Sequence, residues 1–216
     1  MWFRRLAVSV CLLASPVTTG AETVARYRLE VTYNWSAQTH PDRFPDGAHM
    51  SGLFGVTHTG RYVLFRDGQT GSSGLALMAE NGRDAVLLAE WAEAMRRNRV
   101  GPSFEAPDLA DLPGTVSVEF EVVPDHPYVS FVAMIAPSPD WFTGVASLPL
   151  QEADVWRDKI AVPLWAWDAG SDSGEEYDAE NAETQPRQSV RLLSVPQFFG
   201  DQGLRPIGQA VLTRLE

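Results

Sequence analysis

Two aspartates four positions apart lie in the segment Asp168-Ala-Gly-Ser-Asp172-Ser-Gly174-Glu-Glu. Glycine and serine between them disfavour a helix and let the backbone curl both carboxylates toward one point. Hard oxygen ligands of this kind suit calcium, which takes about six to eight oxygens and accepts irregular geometry. Backbone carbonyls and water would supply the rest. A merely solvated acidic loop has the same composition, and the spacing and closing glutamate of an EF-hand are missing. A third carboxylate, Asp140, sits in Pro137-Ser-Pro-Asp140-Trp-Phe-Thr-Gly-Val145. Two prolines stiffen the chain before it, and Trp141 with Phe142 can anchor the turn that follows, so its carboxylate is held in a preset place. An ordinary Pro-Asp turn with an aromatic plug reads the same way.

The other groups able to do chemistry are weaker candidates. His40, His49 and His58 recur every nine residues and His126 stands in a Pro-Asp-His-Pro turn. Catalytic zinc sites favour closer pairs combined with a carboxylate, so structural hydrogen bonds at His49 and His58 are the simpler reading. No nucleophile elbow, phosphate-binding loop or dinucleotide fingerprint is present. Asn34-Trp35-Ser36 matches a glycosylation sequon but falls in or near a strand.

The elements that would position these residues are mostly strands. Residues 25–33 alternate, with Tyr27, Leu29, Val31 and Tyr33 facing one way and Arg28, Glu30 and Thr32 the other, the period of a half-buried strand. Val116, Val118, Phe120 and Val122 alternate with Ser117, Glu119 and Glu121. The turn Pro124-Asp125-His126-Pro127 and the apolar run Val129 to Ala136 follow, which predicts a hairpin of the two runs. Further strands are expected at 160–167, 189–195 and 209–215, with shorter ones at 60–66 and 73–78. One short helix is expected over about 84–98, where Leu87, Leu88, Trp91 and Met95 share a helical face and Gly101-Pro102 follows. Residues 168–183 and 198–206 read as loops. Strands without regular alternation with helices predict an all-β fold, an antiparallel β-sandwich.

Composition bounds the setting. Arg4 and Arg5 precede the apolar run Leu6 to Ala14 and small residues up to Ala21, the order of a signal peptide and too short to span a bilayer. The expected division is a leader over 1–21 and a single domain over 22–216. Removing the leader takes away Cys11, the only cysteine, and shifts the net charge from −11 to −13, so stability rests on packing and any bound metal rather than on disulfides. Such a charge repels phosphate backbones and anionic membranes, leaving cations as the favoured partners. No second apolar segment approaches spanning length.

Several stretches together resemble the spondin N-terminal domain family, of F-spondin and mindin type. They are Trp35-Ser36 with His40-Pro41, Phe44-Pro45 with Ala48-His49 and Ser51, Gly55-Val-Thr-His58, Ala79-Glu-Asn-Gly82, Val129-Ser-Phe131, the Pro137 to Val145 segment, Trp156, and Asp168 to Gly174. The resemblance runs from about Tyr27 to Leu215. It implies a C2-like β-sandwich with calcium held by Asp140, Asp168 and Asp172, and a role for the position of Glu121 in cell adhesion. Leu148-Pro149-Leu150-Gln151 lacks the cysteine that animal members carry there, which fits a freestanding bacterial module. The expected function is that of a secreted calcium-binding adhesion module, extracellular or periplasmic, with an unknown protein or glycan ligand. A secreted metal-dependent hydrolase is the alternative, although no residue stands out as its base.

Overall fold

The structure is a computed structural model and describes residues 24–215. The expected leader over 1–21 lies outside the described residues. The strands in chain order are β1 (Ala25–Tyr33), β2 (His49–Met50), β3 (Leu53–His58), β4 (Val100–Ala106), β5 (Gly114–Val122), β6 (Tyr128–Ala136), β7 (Trp141–Pro149) and β8 (Gln151–Glu152). They continue as β9 (Val155–Trp156), β10 (Lys159–Leu164), β11 (Ala166–Asp168), β12 (Arg191–Leu192), β13 (Phe199–Gly200), β14 (Gly203–Leu204) and β15 (Gly208–Arg214). Two helices, α1 (Ser73–Asn81) and α2 (Ala85–Arg96), lie between β3 and β4. One sheet has the order β10-β15-β1-β5, the other β12-β11-β7-β6-β3-β4 with β2 also on β6. All pairings in both are antiparallel, as the expected β-sandwich requires.

The alternation read in residues 25–33 is the mechanism of the sandwich. Tyr27, Leu29, Val31 and Tyr33 are buried between the sheets while Arg28, Glu30 and Thr32 face water. Phe104 of β4 stacks on Phe120 of β5 with centroids 4.3 Å apart, closing one side of the sandwich. Residues 128–136 show no alternation because both faces of β6 are covered. Phe131, Ala133 and Ile135 point into the space between the sheets, and Val132, Met134 and Ala136 join a second apolar cluster with Leu75, Met78 and Leu87 from the helices.

This double burial corrects the expected hairpin. β5 pairs with β1, and β6 pairs with β3 and β7, so the two runs belong to opposite sheets and Pro124 to Pro127 carries the chain across. A strand apolar on both faces belongs at the centre of a covered sheet, whereas β5 has a wet face.

The helical layer also differs from expectation. Residues 73–78, read as a short strand, begin α1: Ser72 caps it by accepting the Leu75 amide (3.1 Å), and Gly82 closes it at φ 68° with its N–H on the Met78 carbonyl (2.8 Å). The expected helix over 84–98 is α2, so among the described residues there are two α-helices rather than one. Residues 60–66 form no strand, 189–195 contribute only β12, and 160–167 break at Trp165 into β10 and β11, which lie in different sheets. Among the described residues no helix is long and apolar enough to cross a membrane.

Candidate metal centre

Asp140 closes the turn between β6 and β7. The Ser138 hydroxyl accepts the Trp141 amide (3.1 Å) and tightens that turn. Trp141 is fully buried against Tyr177 and Phe198, with centroids 5.1 and 5.7 Å away. The preset position expected for Asp140 is thus supplied by an aromatic plug. Asp168 ends β11 directly opposite Trp141 in the ladder, and the Ala169 amide donates to the Asp140 carbonyl (3.2 Å). Sheet register therefore brings together two carboxylates that are 28 positions apart in sequence.

The loop after Asp168 then wraps round Asp140. Gly170 turns at φ 73°, where a Cβ would meet the Gln188 carbonyl at 2.5 Å, so only glycine fits. The next two amides, of Ser171 and Asp172, donate to Asp140 Oδ2 at 2.7 and 3.0 Å, and the Ser171 hydroxyl lies 3.3 Å from the same oxygen. Asp168 Oδ1 accepts the Gly170 amide (2.8 Å), while Oδ2 takes the Arg191 guanidinium at 3.0 and 2.8 Å. Asp172 accepts the amides of Gly174 (2.7 Å) and Ala182 (2.8 Å).

Three buried carboxylates, at 0, 4 and 5% exposure, thus share one neighbourhood with one arginine. Burial, and then the charge of Asp168, push the Asp140 carboxyl up to about 6. Its second oxygen, Oδ1, is buried without a hydrogen-bond partner among the described residues. An ionised oxygen out of water and out of hydrogen bonds is costly unless a cation meets it. The side-chain oxygens nearby are of the hard type that calcium takes and soft metals do not favour. Among the described residues no group of three or more His, Cys, Asp or Glu is placed so that it could hold a metal ion. Asp168 and Asp172 are each committed to amides or to Arg191, and Asp140 Oδ1 is the open donor. Sequence reasoning missed Arg191. Nothing in its spacing marks it, since only the β11–β12 pairing sets it opposite Asp168.

Glu121 lies elsewhere. It is exposed on the outer face of the four-stranded sheet, opposite Arg26 on β1. Its neighbour Glu119 pairs with Arg26 and Arg28, each at 2.7 Å.

The histidines do not converge on a metal either. His49 is exposed, with Nδ1 2.8 Å from the Gly47 carbonyl. His58 is buried and uses both nitrogens, on the Thr59 carbonyl and the Ser130 hydroxyl, each at 2.7 Å. Ser130 in turn accepts the Ser147 amide at 2.8 Å and is fully buried, so this His-Ser pair is a structural strut rather than an exposed nucleophile. His40 is buried as well, and burial lowers its pKa to about 4.

Comparison with known proteins fits this architecture. The Spondin_N family model matches residues 25–198. Spondin-2 of Homo sapiens is 38% identical over 208 residues, covering 90% of this chain and 63% of the relative. Spondin-2 of Rattus norvegicus is 37% identical over 178 residues, covering 81% of the chain and 54% of the relative. Spondin-1 of Gallus gallus is 31% identical over 207 residues, covering 88% and 25%. The chain thus spans less than two thirds of the length of these relatives. With the match running from the first strand into the loops beyond the carboxylate cluster, the chain belongs to the Spondin_N family.

Proposed function

We propose that this chain is an exported recognition module whose carboxylate end is tied together by calcium, and that it acts by binding an extracellular partner. The observation that carries the cation is Asp140 Oδ1, a buried carboxylate oxygen with no hydrogen-bond partner among the described residues, set among Asp168 and Asp172. When bound, calcium supplies positive charge that offsets the buried carboxylates and lets them stay ionised. The chain's own residues do the remainder: Trp141 fixes the turn, the Ser171 and Asp172 amides hold one face of Asp140, and Arg191 orients Asp168. The module reading rests on membership of the Spondin_N family. Glu121, on the wet face of the four-stranded sheet, is the residue proposed to meet a partner there.

The test is thermal unfolding in calcium and in chelator. A ligand at about a hundredfold its Kd adds about 2.7 kcal/mol, which for a domain of this size raises Tm by about 5–10 °C. Asp140→Asn, which keeps the shape and removes the charge, is expected to abolish the increase. Identical melting of the native chain in both conditions sinks the cation reading.

A further inference from the structure

Three of the tryptophans, Trp35, Trp141 and Trp156, are core residues, and Trp91 gives its indole N–H to the Gly101 carbonyl at 3.0 Å. Trp165 and Trp167 behave differently. They stand two positions apart, half-buried, where the chain passes from one sheet to the other. The β11–β7 ladder ends at Ala166 opposite Thr143. Just beyond, the Thr143 hydroxyl donates to the Trp165 carbonyl (2.8 Å), and the Leu164 carbonyl accepts the Ile207 amide (2.9 Å) in the other sheet. β7 runs on to Pro149 without a strand on that side among the described residues, and β10 diverges from it.

The divergence opens a cleft of about 460 Å³ to solvent, within the range of roughly 300–1,000 Å³ of small-ligand sites. Trp165 and Trp167 line it together with Phe65, Ser147, Arg66 and Asp67. Phe65 meets Trp167 edge-on at 5.4 Å and steadies that ring. The Trp167 indole N–H has no acceptor among the described residues. Ser147 adopts a left-handed φ of 53° beside the β-bulge of the β6–β7 pairing, a costly conformation for a residue with a side chain.

We propose that this cleft binds a short neutral saccharide. This rests on the reading of the chain as a recognition module, but not on the cation. Aromatic faces carry negative charge density and attract the weakly positive C–H face of a pyranose ring. Arg66 and Asp67 are exposed and offer donors and acceptors to hydroxyl groups. Their charges cancel, so the rim selects no ionic ligand, and a chain of net charge −11 disfavours anionic glycans. An extended peptide added along β7 is the weaker occupant, because the bulge and the left-handed Ser147 interrupt that edge as a straight template for another strand.

Trp165 belongs to neither apolar cluster, so Trp165→Ala removes a cleft wall and leaves the fold in place. The probes are cellotetraose, chitotetraose, maltotetraose, laminaritetraose and mannotetraose, titrated by calorimetry and tryptophan fluorescence. At least one is expected to bind with a Kd below about 1 mM. Trp165→Ala is expected to weaken it by about tenfold or more with Tm unchanged. The proposal is overturned if none binds at about 10 mM, if binding is unchanged in Trp165→Ala, or if a proline-rich peptide gives the Trp165-dependent response in place of every saccharide. Repeating the titration in calcium and in chelator separates the two readings. Saccharide binding without calcium stabilisation removes only the cation, and the converse removes only the cleft.

Discussion

At the residue scale, His40 shows how a single buried side chain can dictate behaviour in acid. Its ring is 1% exposed and packs edge-on to Phe198 (5.8 Å), its Nδ1 lies 2.9 Å from the Thr39 hydroxyl, and its Nε2 has no partner among the described residues. Burial holds its pKa at about 4 against an ordinary 6.5, outweighing the opposite pull of the Arg205 backbone; the Arg205 charge adds a smaller push downward. The unfolded chain therefore takes up this proton before the folded one does. The stabilisation owed to neutral His40 is complete above pH 6.5 and is lost as pH falls toward 4. The loss approaches about 3 kcal/mol. Comparing denaturant unfolding of native and His40→Phe chains over this interval should show the gap between them closing toward acid, and a constant gap refutes the assignment. Residue types alone marked Asp140, Asp168 and Asp172 as oxygen donors. They could not reveal that Asp140 keeps one oxygen without a hydrogen bond, because that depends on which amides the folded loop presents.

At the scale of elements, legibility followed solvent. Strands with one wet face, β1 and β5, announce themselves by alternation, whereas β6 reads only as an apolar run whose partners the sequence does not name. The expected hairpin failed there because a tight turn between two strand-like runs is equally consistent with a crossing between sheets. Residues 73–78 were misread for a related reason. Gly74 lowers the helical signal of α1, and the glycine is needed for the approach of α2: a Cβ on Gly74 would lie 2.7 Å from the Leu87 amide nitrogen. Gly74→Val should therefore force the helices apart at a cost of about 2–3 kcal/mol, read as a lower denaturation midpoint. A neutral outcome would mean that the helices do not pack as described. The break at Trp165 was equally hidden, since 160–167 is a single apolar run and only the pairing partners divide it.

At the scale of the whole molecule, the family was legible because two of its motifs, Pro137 to Val145 and Asp168 to Gly174, carry the aspartates that strand register and the following loop bring together. Order should grade from the centre of the larger sheet outward. Amides of β6 are paired on both sides and covered on both faces, so they should exchange with solvent only on global unfolding. The stretch 173–187, mostly without regular structure, should exchange faster by orders of magnitude and slow down when calcium is added. Hydrogen–deuterium exchange by mass spectrometry measures both. Comparable protection of the two segments would contradict the architecture.

The position of β6 has one more effect. It is a party wall, with odd-numbered side chains such as Phe131 and Ile135 lodged in one room and even-numbered ones such as Val132 and Met134 in the other. Close-packed interiors transmit displacement, so a bulkier side chain on the helical side must push the wall toward the opposite sheet. The two compartments can drift in sequence only in concert, and second-site suppressors of a defect at Met134 should turn up across the partition as well as beside it.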